Sequence, residues 1–355
     1  MSGLRAADLA GAACPIPIQD YPHVLLAHGG GGRLTHMLIE KMFAATFANP
    51  ALAPLHDGAR LDVDGARLAV TTDSFVVSPR FFPGGNIGSL AVHGTVNDLA
   101  MCGARPIALT AAFVLEEGLA MEELWRIVRS MQAAAADVPV PVVTGDTKVV
   151  DRGKGDGMYI NTTGIGVVRA GLEIAPGAAR PGDVVIVNGP IAQHGIAIMS
   201  VREGLEFGTK VESDSAALTG LVAALLDAVG PAVHVLRDPT RGGVSSALNE
   251  IAQASRAGIR LEETKIPIRE DVRGACEILG FDPLYVANEG KVLAIVAAKE
   301  AERALAAMRA DPLGREAAII GEVVEDHPGR VVLKSRVGGL RVVDMLSGEQ
   351  LPRIC

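Results

Sequence analysis

The stretch from Asp64 to Gly103 constrains the fold of this chain more than any other. Asp64-Gly65 is a two-residue hairpin signal, because the tight turn that matches strand twist needs positive φ at both positions. The apolar run Leu68–Thr72 after it is expected to be a strand, with Asp73 at its end. Pro79, Pro83, Gly84 and Gly85 then mark a loop. Ser89 is expected as an N-cap. Leu90–Cys102 is expected as a helix, with Val92, Val96 and Leu99 on one face and Gly103 as its stop. Asp98 lies inside this apolar helix, next to Asn97. A buried charge is costly unless it is paired or metal-bound; the alternative is that Asp98 caps a neighbouring turn.

At 355 residues the chain is long enough for two domains. Hydrophobic residues make up 49% and charged residues 21%, which supplies a sizeable core and argues against long disorder. Aromatics are only 3%, so that core is Ala, Val, Leu and Ile, which suits packed α/β layers. The formal charge is -8 and no basic run occurs, which disfavours nucleic acid. No apolar stretch reaches the ~18 residues that span a bilayer, so no membrane association is expected. Leu9–Cys14 has the outline of a lipoprotein cleavage site, but Asp8 interrupts it and no long apolar core precedes it, so a signal peptide is rejected. Cys14, Cys102, Cys276 and Cys355 form no CxxC pair, and neither zinc nor a disulfide framework is indicated. A cytoplasmic location is the expectation.

Residues 1–22 are Ala- and Pro-rich and expected to be loosely ordered. His28 opens HGGGGR before an expected helix, Leu34–Phe47. A glycine run of this kind lets backbone N–H groups approach an anion, and it equally serves as a turn. No GxxxxGK[ST] is present. A strand, Ile107–Leu115, and a helix, Met121–Ala136, are expected next. The short strand Val142–Thr144 runs into Gly145-Asp146-Thr147-Lys148, and Ile160–Val168 is a further strand. Residues 169–182 carry Pro176, Gly177, Pro181 and Gly182 and are expected as an interdomain linker. Beyond it come a strand at Val184–Asn188 and helices at 191–203, 214–229 and 243–257, the last entered from Arg237-Asp238-Pro239-Thr240-Arg241-Gly242-Gly243. Strands at Lys291–Ala298 and Ala317–Val324 flank a helix at Glu300–Arg309, with short strands near 330–334 and 340–343.

Asp73, Asp98, Asp146 and Asp238 thus fall at strand ends, helix starts or glycine-rich turns. Mg²⁺ prefers a few carboxylates plus phosphate oxygens, and Lys148 is placed to meet a phosphate as a point charge. A nucleotide site without a Walker loop fits this set, and so do ordinary solvated turns.

HGGGGR, TTDSFVV, FFPGGNIG, GTVNDLA, GDTKVV, DPTRGG, NEGK and the terminal PRIC resemble the HypE family of hydrogenase maturation proteins. These are carbamoyl dehydratases in the superfamily of aminoimidazole ribonucleotide synthetase and selenophosphate synthetase. The resemblance runs from His28 to Cys355. It implies a two-domain α/β (α+β) fold of the aminoimidazole-ribonucleotide-synthetase type. An N-terminal domain, 23–168, would bind ATP and Mg²⁺ and contribute strands to a β-barrel shared across a homodimer. A linker, 169–182, would lead to a C-terminal α/β domain, 183–345, and a mobile tail, 346–355.

Matched motif by motif, the resemblance implies metal ligands at Asp73, Asp98, Asp146 and Asp238. It implies nucleotide contacts at Gly30, Gly31, Asn97, Gly145, Asp146, Thr147 and Lys148. A carbamoyl group from the carbamoyltransferase HypF would be carried on Cys355 and dehydrated with ATP to a thiocyanate. The cyanide would pass to iron on a HypC–HypD complex, as a ligand of the [NiFe]-hydrogenase iron centre. Lys148 is then the candidate cation and Glu289 the candidate base, with a plain loop residue as the other reading of Glu289. His28 and His194 are weaker candidates for substrate contact. Two alternatives stand beside this reading. One is a superfamily enzyme that uses ATP on a free small substrate. The other is a non-enzymatic docking subunit of the maturation complex. The tail itself, LSGEQLPRIC, holds Gly348 and Pro352 and spans at most about 35 Å when extended.

Overall fold

The computed structural model describes residues 23–204, 210–348, 351 and 353–355. The reading of residues 1–22 lies outside the described residues. Among the described residues no helix is long and apolar enough to cross a membrane.

Two sheets organise the chain. The first holds β1 (Ala59–Val63), β2 (Ala66–Phe75), β5 (Ala104–Glu116), β6 (Val142–Val150) and β7 (Met158–Val168), in the order β1-β2-β7-β5-β6. A small hairpin, β3 (Phe81–Phe82) with β4 (Gly85–Asn86), stands apart from it. The β1–β2 turn is the one that Asp64-Gly65 announces: Asp64 has φ 48 and Gly65 φ 84, and Val63 pairs with Ala66. All pairings in this sheet are antiparallel except β5 with β6. A parallel pair needs a crossover, which α3 (Met121–Asp137) provides.

The second sheet holds β8 (Val184–Val187), β9 (Val233–Arg237), β10 (Gly258–Glu262), β11 (Leu293–Val296), β12 (Ala318–Val324), β13 (Val331–Lys334) and β14 (Leu340–Val343). Their order is β14-β13-β10-β12-β8-β11-β9. Around it lie α4 (Gln193–Arg202), α5 (Thr219–Val229), α6 (Gly243–Ser255), α7 (Glu270–Leu279) and α8 (Ala301–Ala310). Separate apolar layers cover its two faces, one centred on Val185, Val235 and Leu248, the other on Ile186, Leu225 and Met308. The connection 169–182 is packed rather than slack, with Leu172 and Ile174 buried in the second of these layers.

The central helix α2 (Ile87–Met101) differs from the expectation at its start. Asn86 is the N-cap and accepts from the Gly88 and Ser89 N–H groups, while the Ser89 hydroxyl accepts in return from Asn86 N–H. The start therefore lies a turn earlier, because Asn caps as well as Ser and leaves Ser89 the reciprocal role. Gly103, at φ +68, ends the helix as expected. The helix is also buried on nearly every side, not on one face, because it packs on β2, β5, β7, α3 and α5 together. The helix expected over Leu34–Phe47 has π-type winding over Ile39–Ala44, after the short α1 (Arg33–Leu38).

Asn97 is corrected by this packing. Its Oδ1 accepts from Leu218 N–H at 2.7 Å, and its Nδ2 donates to Ala216 O at 3.0 Å and Glu289 O at 3.4 Å. Both ends of the amide are engaged within the protein, so Asn97 clamps the two halves together, and it does not line the cleft that opens between the two sheets. Asn97→Ala should orphan the Leu218 and Ala216 backbone groups and cost about 2–4 kcal/mol. Urea unfolding of the variant checks this.

Candidate functional site

A cleft of about 590 Å³ opens between the two sheets. Its wall takes Asp57 from the residues just before β1, Thr71 and Asp73 from β2, and Asp98 from α2. Asp238 and Arg241 come from the turn between β9 and α6, Glu289 from the loop before β11, and Cys355 from the chain end. Gly94, one turn before Asp98, leaves room for this convergence, since a Cβ there would sit 3.0 Å from the Phe75 ring.

Carboxyl oxygens of Asp57, Asp98 and Asp238 lie within 4.8 Å of one another. Burial, with Asp238 and Asp73 nearby, holds the Asp98 carboxyl well above the usual range. Burial pushes Asp238 up to about 6 against the pull of Arg237. Asp73 is raised by burial and held back by Arg241. The Thr71 hydroxyl lies 2.7 Å from Asp98 Oδ2 and 2.9 Å from Asp57 O. With one proton it satisfies both acceptors only if Asp98 carries a proton of its own. Asp57 Oδ2 is buried with no hydrogen-bond partner, although Arg237 pairs with the other oxygen.

Mutually crowded carboxyls, with proton affinity raised at Asp98 and Asp238 and an orphaned oxygen on Asp57, fit a divalent cation. Asp57, Asp98 and Asp238 would hold it, with Asp73 on the same wall. Binding of Mg²⁺ with a non-hydrolysable nucleotide should therefore strengthen as pH rises through about 6, where Asp238 ionises. Asp98→Asn should weaken it by at least about tenfold, without lowering the melting temperature, because the amide can keep the contact that a protonated Asp98 makes with the Thr71 hydroxyl. Titration calorimetry across pH, beside thermal melts, measures both.

Glu289 is buried, and its Oε1 has no partner. Burial first, then Asp238, Asp73 and Asp214, keep its carboxyl well above the ordinary value. Arg241, exposed at the cleft, faces Cys355, Asp73, Glu289 and Asp98, all of which favour its charge.

The end of the tail, expected to be mobile, is docked here. Val76 N–H donates to Cys355 O at 3.0 Å and Ser78 N–H to Arg353 O at 3.2 Å, the spacing of a short strand pairing. Arg202 donates to Ser78 O and to Arg353 O, and Arg353 pairs with Asp156. His194, a weaker candidate for substrate contact, instead meets Ile354 O through Nε2 at 2.7 Å. Burial raises the Cys355 thiol, against Arg241.

Several expected site residues lie elsewhere. Val142–Thr144 does not stop before Gly145: β6 continues through Asp146, Thr147 and Lys148 as an exposed edge strand. Asp146 and Lys148 pair with each other at 2.6 Å, both side chains in solvent, and neither lines the cleft. Within one chain Arg237 and Arg241 line the cleft and Lys148 does not; Arg241 is the one that faces Cys355 and Glu289. Gly30 and Gly31 do not line it either. A Cβ on Gly31, at φ +73, would strike the Arg241 backbone at 2.6 Å, so the glycine run serves the close approach of that turn. His28 Nδ1 accepts from Leu25 N–H within its own turn. Asp57, Arg237 and Arg241 were missed. Arg237 and Arg241 share a motif with Asp238, and Asp57 precedes Gly58, so each had a faint local signal.

The chain matches two family models: AIR synthase related protein, N-terminal domain, over residues 55–168, and AIR synthase related protein, C-terminal domain, over residues 180–334. A carbamoyl dehydratase HypE of Azotobacter vinelandii is 58% identical over 332 residues, 94% of this chain and 97% of that one. The crystal structure of a hydrogenase maturation protein HypE in complex with ATP superposes with a TM-score of 0.79. It is 51% identical and covers 94% of this chain and 100% of its own. A HypE–HypF complex gives 0.82 at 47% identity, covering 87% of this chain and 99% of the other.

Proposed function

This chain belongs to the HypE carbamoyl dehydratase family, with the two domains of AIR synthase related proteins, and on that premise we propose that it makes a thiocyanate on Cys355. The group converted is a carbamoyl on Cys355 Sγ, received from a HypF-type carbamoyltransferase. The cyanide would leave for iron on a HypC–HypD complex. The observation that carries this reading is the placement of the Cys355 thiol in one cleft with Glu289, Arg241 and the three-carboxylate cluster.

The overall change is S–C(=O)NH₂ plus ATP to S–C≡N, ADP and phosphate, so the amide oxygen ends in phosphate. Bound Mg·ATP would supply the phosphoryl group that makes this oxygen a leaving group. One nitrogen proton would leave as the oxygen is phosphorylated and the second as the C–O bond breaks, so the products are nitrile, ADP, phosphate and a proton. Glu289, on the same cleft wall as the thiol, would take the second. Its raised affinity for a proton suits that task. Arg241 would face the charge that develops on the transferred oxygen. The docked thiol is buried and protonated, a poor nucleophile, so carbamoylation would take place with the tail out.

A homodimer that pairs the exposed edges of β1 and β6 would leave the first sheet without a free edge. We assign Asp146 and Lys148 to the nucleotide of such a partner copy, since they are absent from this chain's own cleft.

Mass spectrometry of the C-terminal peptide tests the reading. After incubation with the carbamoylating partner the peptide should gain a carbamoyl group, and Mg·ATP should then remove one water. A peptide that stays carbamoylated while ATP is turned over would sink the proposal and favour a free small substrate.

A further inference from the structure

Residues 210–218, before α5, have no regular structure, yet Ser213 and Asp214 are held from two sides. On one side Ser213 N–H donates to Pro83 O at 2.8 Å, and a Cβ on Gly84 would come within 2.8 Å of Ser213 O. On the other, a Cβ on Gly290 would meet Asp214 O at 1.8 Å. Only glycine permits either approach, so the FFPGG and NEGK motifs share a purpose that the chemistry above leaves unassigned.

Each residue then reaches one half of the reaction. The Ser213 hydroxyl accepts from Ser215 N–H at 3.0 Å, which leaves its proton for His194 Nδ1 at 2.8 Å. That donation puts the imidazole hydrogen on Nε2, which donates to Ile354 O. Burial keeps the ring neutral, so the tautomer matters. Phe82 fixes the ring's tilt, edge-on at 5.5 Å between centroids. Asp214 Oδ1 accepts from the Glu289 N–H at 3.2 Å, and Asp214 Oδ2 lies 3.2 Å from Lys291 Nζ.

We propose that Ser213 and Asp214 are positioning residues that set the docked tail and the base from one rigid segment, Ser213 through His194 on Ile354 and Asp214 through the Glu289 backbone. The proposal rests on the reading of Cys355 as carrier and Glu289 as base. It needs no group beyond those already placed. A single segment holding both partners keeps their separation constant when the domains flex, which a reaction sensitive to small displacements requires.

Alkylation of Cys355 by iodoacetamide, read on the C-terminal peptide, reports the docked fraction without any ATP chemistry. Ser213→Ala should raise its rate about tenfold, the loss of one buried hydrogen bond. In a His194→Gln background, where the amide donates to Ile354 O without help, adding Ser213→Ala should change nothing. Single-turnover dehydration should fall about tenfold in Asp214→Ala at unchanged Mg·ATP affinity. Asp214→Asn, which keeps the acceptor for Glu289 N–H, should retain most of the rate. Equal losses in Asn and Ala variants would reduce Asp214 to a counter-ion of Lys291 and overturn its assignment. An unchanged alkylation rate in Ser213→Ala would overturn the other arm. If the parent protein makes no nitrile while Ser213→Ala still frees the tail, the proposed reaction fails and the tail arm stands.

Discussion

A Cys355→Ala chain should form no nitrile while binding Mg·ATP as tightly as the parent. The two properties separate on the proposed reading, in which the thiol carries the group and lies outside the carboxylate cluster. Removing Sγ leaves the Val76 and His194 hydrogen bonds to the tail backbone in place, so docking should survive. The loss is therefore total for chemistry and small for stability. One residue added after Cys355 should also impair conversion. Cys355 O accepts from Val76 N–H, and an extension would have to thread into the carboxylate-lined cleft. Titration calorimetry and the mass of the C-terminal peptide read the two effects independently. Nitrile formation on the Ala variant, at any site, would remove Cys355 from the mechanism.

The second large effect is expected at Glu289. Glu289→Gln keeps the shape and the backbone bond to Asp214 but cannot take a proton, so single-turnover dehydration should slow by about 10²–10⁴-fold. Carbamoyl transfer to Cys355 should proceed normally, because on the proposed reading that step would take place with the tail out of the cleft. Mg·ATP affinity should hold or rise slightly, since one carboxyl near Asp238 and Asp73 is removed. A Gln variant within about threefold of the parent would assign the proton to another group, and Asp73 is the next carboxylate on the same wall.

Much of the fold is legible in the chain because the signals are local. The Asp64-Gly65 turn, the helix over Met121–Ala136 and the strands of the second half other than β9 and β10 follow from turn chemistry and periodicity alone, which act between near neighbours. The α2 start was misplaced because Asn86 and Ser89 both cap, and only the direction of the chain after β4 decides between them. The span Val142–Val150 misled in another way. A strand that lies at a sheet edge with both faces in solvent carries polar residues freely, so Gly145-Asp146-Thr147-Lys148 had the look of a loop.

By itself the sequence carried the family resemblance, and through it the expectation of Asp73, Asp98, Asp238, Glu289 and Cys355 as site residues; local pattern alone left solvated turns and a plain loop residue as open readings. The structure brings all five to one cleft. The sequence could not rank them or say which cation faces them. Lys148 and Arg241 are equal as charges in a string of letters. The tertiary structure alone puts Arg241 among the carboxylates and leaves Lys148 paired with Asp146 in solvent. It alone recruits Asp57, whose Asp-Gly dipeptide is indistinguishable from a turn. Nor does any local pattern mark Asn97 as a clamp or Ser213 and Asp214 as supports. The reason is physical: a side chain's role here is set by burial and by partners far away in sequence, Asn97 with Leu218 and Ser213 with His194. Those pairings exist only once the folded chain has brought these distant segments into contact.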